Sequence, residues 1–123
     1  DSVDYPDFAD KVCQALTATT LKEKTSSDQD ALSFSELGLL ICGSGQGMAI
    51  RANRYKDIRA ALCWNEDIAR LSREHNNANI LCLGARNSSP EEALKIVEVF
   101  LKTAFLKGRH APRVEKLSTD TGC

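Results

Sequence analysis

The sequence lacks several features that would assign it to a broad functional class. Its 16 Lys and Arg are balanced by 17 Asp and Glu, so the net charge is −1 and the basic excess of a general nucleic-acid-binding protein is missing. No apolar run approaches the length that spans a membrane, and no signal-peptide pattern opens the sequence. We therefore expect neither nucleic acid nor a membrane among its partners.

The cysteines also lack a recognisable pattern. There are five of them, with no C-x-x-C pair and no metal-ligand spacing. An odd number without a disulfide framework is typical of a reducing compartment, so we expect a cytoplasmic protein. Cys63 and Cys82 lie in apolar stretches, where thiols behave as small hydrophobic side chains. The sequence predicts no metal site.

The most informative stretch is the apolar run 39–42, which is followed at once by Gly43-Ser44-Gly45-Gln46-Gly47. This pattern is typical of a buried strand that feeds a tight turn and then a helix. The backbone N–H groups of such a loop suit an anion, either a phosphate or an oxyanion that develops during a reaction. Cys42, at the mouth of the loop, is either a base or nucleophile, or a buried thiol at a strand end.

The 123 residues are enough for one domain. Asp4-Tyr5-Pro6 predicts the start of an amphipathic helix that ends near residue 19, and the polar stretch 20–35 predicts a surface loop. Beyond it, strands and helices alternate, which predicts a parallel α/β sheet with ligands at the carboxyl ends of its strands. The predicted strands are 37–42, 58–63 and 79–83, and the predicted helices are 47–53, 66–75, 90–105 (capped by Ser89) and 108–117.

Several polar residues have two interpretations from the sequence alone. His75 ends a predicted helix, where it is either a general acid or a residue that interacts with the helix dipole. Arg86, Arg109 and Arg113 are either phosphate ligands or part of a solvated basic face. Tyr5 is either a surface ring or a substrate contact.

Six segments, in order over nearly the whole chain, resemble ribose-5-phosphate isomerase B. They are Asp4-Tyr5-Pro6, Ile41-Cys42-Gly43-Ser44-Gly45-x-Gly47, Ile50-x-Ala52-Asn53, Ile58-Arg59-Ala60-Ala61, Ser72-Arg73-x-His75-Asn76-x-Ala78-Asn79 and Gly108-Arg109-His110-x-x-Arg113-Val114. The resemblance implies a three-layer αβα, Rossmann-like parallel sheet. It also implies an aldose–ketose isomerase of the pentose phosphate pathway, which interconverts ribose 5-phosphate and ribulose 5-phosphate through an enediolate.

The resemblance further implies roles for individual residues. Cys42 would be the base that moves a proton between C2 and C1, His75 would open the sugar ring, and Ser44 would supply the hydroxyl of the loop. Some relatives place a carboxylate base at the position that Met48 occupies here. The Met48 side chain cannot take a proton, so the mechanism with a cysteine base fits this sequence. No metal or organic cofactor is implied. The implied substrate-binding residues are Tyr5, Gly43, Gly45, Gln46, Gly47, Asn76, Arg86, Arg109 and Arg113.

Members of the family form dimers, or dimers of dimers, whose sites combine residues from both subunits, and we expect the same here. They also begin with a strand that ends in an Asp-His pair, then a helix and a second strand, before Asp-Tyr-Pro. The sequence in hand starts just before Asp4. We therefore expect either a longer natural protein or a weakly folded, poorly active fragment with unpaired strand edges and uncovered apolar surface.

Other functions remain open at this point. A subunit of the galactose-6-phosphate isomerase type is possible within the same family. A catalytically silent sugar-phosphate-binding protein is the alternative from another class. A dinucleotide-binding module is disfavoured, because no acidic residue follows the glycines at the expected distance at the end of a second strand.

Overall fold

The computed structural model describes residues 3–25 and 36–122. A first helix, α1 (Tyr5–Thr25), precedes three units that each consist of a strand and a helix. The strands are β1 (Gly38–Cys42), β2 (Ala60–Leu62) and β3 (Ile80–Gly84), and the helices that follow them are α2 (Gln46–Ala52), α3 (Glu66–Asn76) and α4 (Pro90–Lys102). The helix α5 (His110–Leu117) comes last.

The three strands form one parallel sheet in the order β1-β3-β2. The central strand, β3, has the sequence ILCLG and is buried along its whole length, as expected for a strand covered on both faces. In the register of the sheet, Leu40 lies beside Cys82, and so does Leu62 on the other side. The predicted parallel α/β fold is confirmed.

Local sequence signals set both ends of α3 and the start of α4. Asn65 caps α3, since its side-chain oxygen accepts a hydrogen bond of 2.8 Å from the amide of Ile68. The helix ends at Asn77, whose φ of 47° is left-handed. Ser89 and Glu92 form a capping box around Pro90 at the start of α4.

Side chains alternate between the two faces of β3 and so build two cores. On one face Ile80 and Cys82 pack against α1 and α2, and on the other Leu81 and Leu83 pack against α3 and α4. The first core also contains Met48, which is only 6% exposed. The other buried members of the first core are Ala9, Cys13, Leu16, Leu40, Ala52 and Ile58, and those of the second are Cys63, Ala69, Ala78, Ile96 and Phe100.

Strand β1 is an edge of the sheet and carries exposed apolar side chains. In the part of the chain that the structure describes, it pairs with β3 alone. Leu39 and Ile41 point away from the first core and are 44% and 51% exposed. Within residues 3–25 and 36–122, β1 is thus a strand edge with exposed apolar side chains.

The two largest errors in the predicted boundaries are at the ends of α1 and α4. The loop predicted over 20–35 begins too early, because α1 continues to Thr25 through Leu, Lys and Glu, which are good helix formers; residues 26–35 lie outside the described residues. Helix α4 ends at Lys102 rather than near residue 105, since Thr103 is extended. None of the helices within residues 3–25 and 36–122 combines the length and apolar character needed to cross a bilayer.

Candidate functional site

The glycine loop joins the carboxyl end of β1 to α2. The bend covers residues 43–45, and Gly45 has a φ of 78°, in the left-handed region that favours glycine. A Cβ built on Gly45 would lie 2.6 Å from the Cδ1 of Leu62 and 2.9 Å from the carbonyl carbon of Leu83. Position 45 therefore requires glycine both for its backbone conformation and for the close approach of neighbouring strands.

Arg86 lies directly against this loop. Its amide donates a hydrogen bond of 3.0 Å to the carbonyl of Gly43, and the amide of Ala85 donates one of 2.8 Å to the carbonyl of Cys42. A Cβ built on Gly43 would be 3.3 Å from the Cζ of Arg86. The guanidinium group thus packs over Gly43, and the half-buried Cys42 is the residue directly before Gly43.

Tyr5 closes the other side of the loop. A Cβ built on Gly47 would be 2.5 Å from both the Cζ and the hydroxyl oxygen of Tyr5, so the phenol lies on the backbone of the first turn of α2. The two helices are held together by Arg51, whose guanidinium donates two hydrogen bonds of 2.7 and 2.9 Å to the carboxylate of Asp10. This bidentate pair keeps Tyr5, which is 43% exposed, beside the loop.

Ser44 and Gln46 complete the same cluster. The Ser44 hydroxyl oxygen accepts a hydrogen bond of 3.3 Å from the amide of Gln46, and both residues are exposed. We call this group the glycine-loop cluster; its members are Tyr5, Cys42, Gly43, Ser44, Gly45, Gln46, Gly47 and Arg86.

A second cluster lies where α3 meets α5. The imidazoles of His75 and His110 are stacked, with ring centroids 4.3 Å apart and planes inclined by 13°. The amide of Leu106 donates a hydrogen bond of 3.0 Å to the carbonyl of Glu74, which ties the segment before α5 to the end of α3. We call this group the histidine cluster; its members are His75, Asn76, Arg109, His110 and Arg113.

The electrostatics of the histidine cluster are cationic. Desolvation lowers the pKa of His110, and the charges of His75, Arg109 and Arg113 lower it further. His75 is half-buried, whereas Asn76, Arg109 and Arg113 are exposed. The cluster therefore favours a neutral imidazole at His110. The exposed guanidinium groups of Arg109 and Arg113 suit an anionic ligand.

The two clusters lie at opposite ends of the sheet. Cys42 ends β1 and Arg86 follows β3, so the glycine-loop cluster is at the carboxyl ends of the strands. Helix α3 runs back from β2 to the start of β3, so His75 and Asn76 are at the amino ends. The 11 residues of α3 span ~16 Å at 1.5 Å per residue. Within one chain, the structure therefore does not bring Cys42 and His75 together.

Sequence reasoning missed the stacking partner of His75. His110 had no evident partner beyond its basic neighbours, because 35 residues separate it from His75 and the path from α4 to α5 decides the contact. Its signals in the sequence were its place between Arg109 and Arg113 and its membership of the segment 108–114 that carries the family resemblance. In residues 3–25 and 36–122, no three His, Cys, Asp or Glu side chains are grouped so that they could hold a metal ion.

A parallel α/β sheet with a glycine loop and an arginine at the carboxyl ends of its strands is typical of proteins that bind small anionic ligands at that edge. The sequence model of the ribose/galactose isomerase family matches residues 1–117. The chain belongs to this family.

The relatives agree with the family assignment. The chain is 45% identical over 114 residues to a Mycoplasma genitalium protein named probable ribose-5-phosphate isomerase B, covering 93% of this chain and 66% of that protein. Against ribose 5-phosphate isomerase B of Thermotoga maritima the TM-score is 0.81 at 47% identity, covering 96% of this chain and 72% of the other. For the enzyme of Anaplasma phagocytophilum the corresponding values are 0.79, 47%, 94% and 69%. The chain thus spans about two thirds of the length of these relatives.

Proposed function

We propose that this chain carries out the reaction named for its relatives, the interconversion of ribose 5-phosphate and ribulose 5-phosphate in the pentose phosphate pathway. The observation that carries the proposal is the packing of the Arg86 guanidinium over Gly43, beside Cys42, at the carboxyl end of the sheet. The arrangement supports the proposal because a thiol, backbone N–H groups and a guanidinium group lie in one cluster. The sequence similarity to ribose-5-phosphate isomerases B supports the choice of substrate.

Cys42 acts as the base in this proposal. Its thiolate takes the proton from C2 of the open-chain aldose, the electron pair moves toward the C1 carbonyl, and an enediolate forms. The proton of the C2 hydroxyl passes to the C1 oxygen, and the proton held by Cys42 is returned to C1, which leaves a hydroxyl at C1 and the carbonyl at C2. Backbone N–H groups of the loop 43–47 stabilise the enediolate oxygens, Ser44 supplies its hydroxyl, and Tyr5 and Gln46 line the substrate side.

The histidine cluster supplies the remaining roles. His75 transfers the protons that open the furanose ring, because imidazole exchanges protons near neutral pH. Asn76 holds a sugar hydroxyl. Arg109 and Arg113, together with Arg86, hold the phosphate, since guanidinium groups bind phosphate through paired hydrogen bonds.

We propose that a complete site needs two copies of the chain. The glycine-loop cluster and the histidine cluster lie at opposite ends of one sheet, too far apart to act on one five-carbon sugar. A two-fold arrangement can bring the glycine-loop cluster of one copy to the histidine cluster of the other, and it then forms two equal sites. A homodimer, or a dimer of dimers, meets this requirement.

We also place the protein in the cytoplasm. The four cysteines of the described residues, Cys13, Cys42, Cys63 and Cys82, are all free thiols. Free thiols persist in a reducing compartment, and the proposed base requires one.

The test is turnover of ribose 5-phosphate by the wild-type chain and by Cys42→Ala, with Cys63→Ala as the matched control. Cys63 is a thiol of the second core that is 1% exposed. Removal of the base should lower kcat by about 10²-fold or more, while Cys63→Ala should keep the wild-type rate.

Equal turnover in Cys42→Ala and the wild type would overturn the role of Cys42. Galactose 6-phosphate, assayed in parallel, separates the five-carbon from the six-carbon substrate. Binding of ribose 5-phosphate by the wild type without turnover would contradict the proposed reaction and favour a silent binding protein.

A further inference from the structure

Arg73 is a cation in the interior of the protein. It is 7% exposed, and burial lowers the pKa of its guanidinium group. No carboxylate is among the partners found for it in the part of the chain that the structure describes. Because an unpaired charge is costly to bury, neutral acceptors must compensate for the lost hydration of this one.

The hydrogen bonds of Arg73 join three segments. Its Nε donates to the carbonyl of Thr103, directly after α4, at 3.0 Å. Its Nη1 donates to the side-chain oxygen of Asn77 at 3.2 Å and to the carbonyl of Ala78. The Cζ also lies 5.7 Å from the centroid of the Phe100 ring on α4. One guanidinium group thus connects the end of α3, the start of β3 and the segment that leads to α5.

These are the segments that carry the histidine cluster. Arg73 precedes His75 by two residues on α3, and Thr103 begins the stretch that leads to Arg109 and His110. The stretch contacts α3 at two points. The amide of Leu106 donates a hydrogen bond to the carbonyl of Glu74, and the ring of His110 stacks on that of His75.

We infer that Arg73 is a positioning residue, which fixes the relative placement of His75 and of the Arg109–His110 turn. This inference rests on the proposed function for its catalytic consequence, although the placement itself does not depend on it. Lysine cannot replace arginine here. Its ammonium is a compact point charge, whereas the planar guanidinium fork bonds Thr103 on one side and residues 77 and 78 on the other.

The test is Arg73→Lys in the full chain, measured by NMR titration of the imidazoles and by steady-state kinetics. The chain has only two histidines, so each resonance is assigned by a single His→Gln variant. Loosening of the stack should raise the pKa of His110 toward its ordinary value. Misplacement of the cluster should lower kcat/KM by about tenfold, because small errors in positioning weaken catalysis strongly.

Two variants serve as controls for charge and for stability. Arg70→Lys alters an arginine of the same helix whose ion pairs, with Asp67 and Glu74, stay within α3. Ile96→Val truncates the second core in α4 without touching a hydrogen bond of Arg73. Both should leave the pKa of His110 and kcat/KM at the wild-type values. Asn77→Gly keeps the left-handed backbone at that position and removes one acceptor of Arg73, so it should shift the pKa of His110 in the same direction by less.

If Arg73→Lys lowers thermal stability but leaves the imidazole titrations and kcat/KM equal to those of Ile96→Val, Arg73 is only a structural residue and the inference is overturned. If Arg73→Lys does not fold, Asn77→Gly decides: an unshifted pKa of His110 in that variant would also overturn it. Absence of turnover in the wild type would contradict the proposed reaction, and the titrations would still decide the placement role of Arg73.

Discussion

The phenol of Tyr5 occupies the space that a side chain at position 47 would need. A Cβ built on Gly47 would lie 2.5 Å from the hydroxyl oxygen of Tyr5 and 2.7 Å from its Cε2. The tyrosine ring, from the first residue of α1, and the glycine loop are therefore complementary surfaces. Since α1 is long and is anchored to α2 by Asp10 and Arg51, the ring is the part that must move if Gly47 gains a side chain.

Gly47→Ala should weaken turnover by displacing Tyr5 from the loop. Position 47 lies in α2, where alanine would otherwise stabilise the helix by up to about 1 kcal/mol, so reduced activity could not be assigned to a weaker helix. We expect kcat/KM for ribose 5-phosphate to fall by about tenfold, a loss typical of a misplaced binding group.

A double-mutant cycle with Tyr5→Ala tests this explanation. In the Tyr5→Ala background the clash is absent, so Gly47→Ala should have little further effect on kcat/KM. Additive losses would mean that the alanine acts on the loop itself and not through Tyr5.

The separation of the two clusters within one chain predicts complementation between two inactive variants. Cys42→Ala removes the proposed base from the glycine-loop cluster, and His75→Ala removes the imidazole from the histidine cluster. When the two proteins are mixed and their subunits exchange, each mixed dimer regains one site with both residues intact. With random exchange at equal amounts, activity should recover to about a quarter of the wild-type level.

Two controls accompany the mixture. Each variant alone should remain inactive, and a Cys42→Ala, His75→Ala double variant mixed with either single variant should restore nothing. No recovery in the first mixture, with subunit exchange verified by mass spectrometry, would show that a site does not combine clusters from two copies.

Much of the fold could be predicted from the sequence, because its signals are local. Apolar runs predicted the three described strands, and the structure shows caps at Ser89 and Asn77, residue types that favour the start and the end of a helix. Residues 20–25 were mistaken for a loop because polar composition outweighed the helix propensity of Leu, Lys and Glu.

The arrangement of the candidate site was less accessible. A helix that follows a parallel strand ends at the amino edge of the sheet, so the alternation of strands and helices along the chain is enough to place His75 far from Cys42 within one chain. The contact between His75 and His110 could not be predicted, since it depends on the tertiary path from Thr103 to α5. The burial of Arg73 could not be predicted from the segment in which it stands, because arginine on a helix is most often exposed.

The thiols should differ sharply in their reactivity with iodoacetamide. Burial raises the pKa of Cys13 to about 11 and that of Cys82 to about 12, and it also raises the pKa of Cys63. All three are at most 1% exposed, whereas Cys42 is half-buried at the mouth of the loop. Because the thiolate is the reactive form, Cys42 should be alkylated first.

Peptide mass spectrometry after a short reaction at neutral pH checks this order. The experiment uses a Cys123→Ser background, so that the terminal thiol does not compete. Labelling in denaturant should make the four remaining cysteines equivalent. Faster labelling of Cys82 than of Cys42 in the folded protein would contradict the burial on which the prediction rests.

The lowered pKa of His110 predicts how stability depends on pH. The folded protein binds a proton at His110 less readily than the unfolded chain, because desolvation and the charges of His75, Arg109 and Arg113 disfavour the imidazolium. A neutral His110 therefore contributes stability that is fully present above its ordinary pKa of 6.5 and is lost as the pH falls through the lowered value.

His110→Gln, which cannot titrate, should lack this dependence. The free energy of unfolding, measured in urea between pH 5 and 7.5, should thus fall more steeply toward acid in the wild type than in His110→Gln. Parallel curves for the two proteins would mean that protonation of His110 is not disfavoured by folding, and a steeper loss in His110→Gln would reverse the sign of the argument.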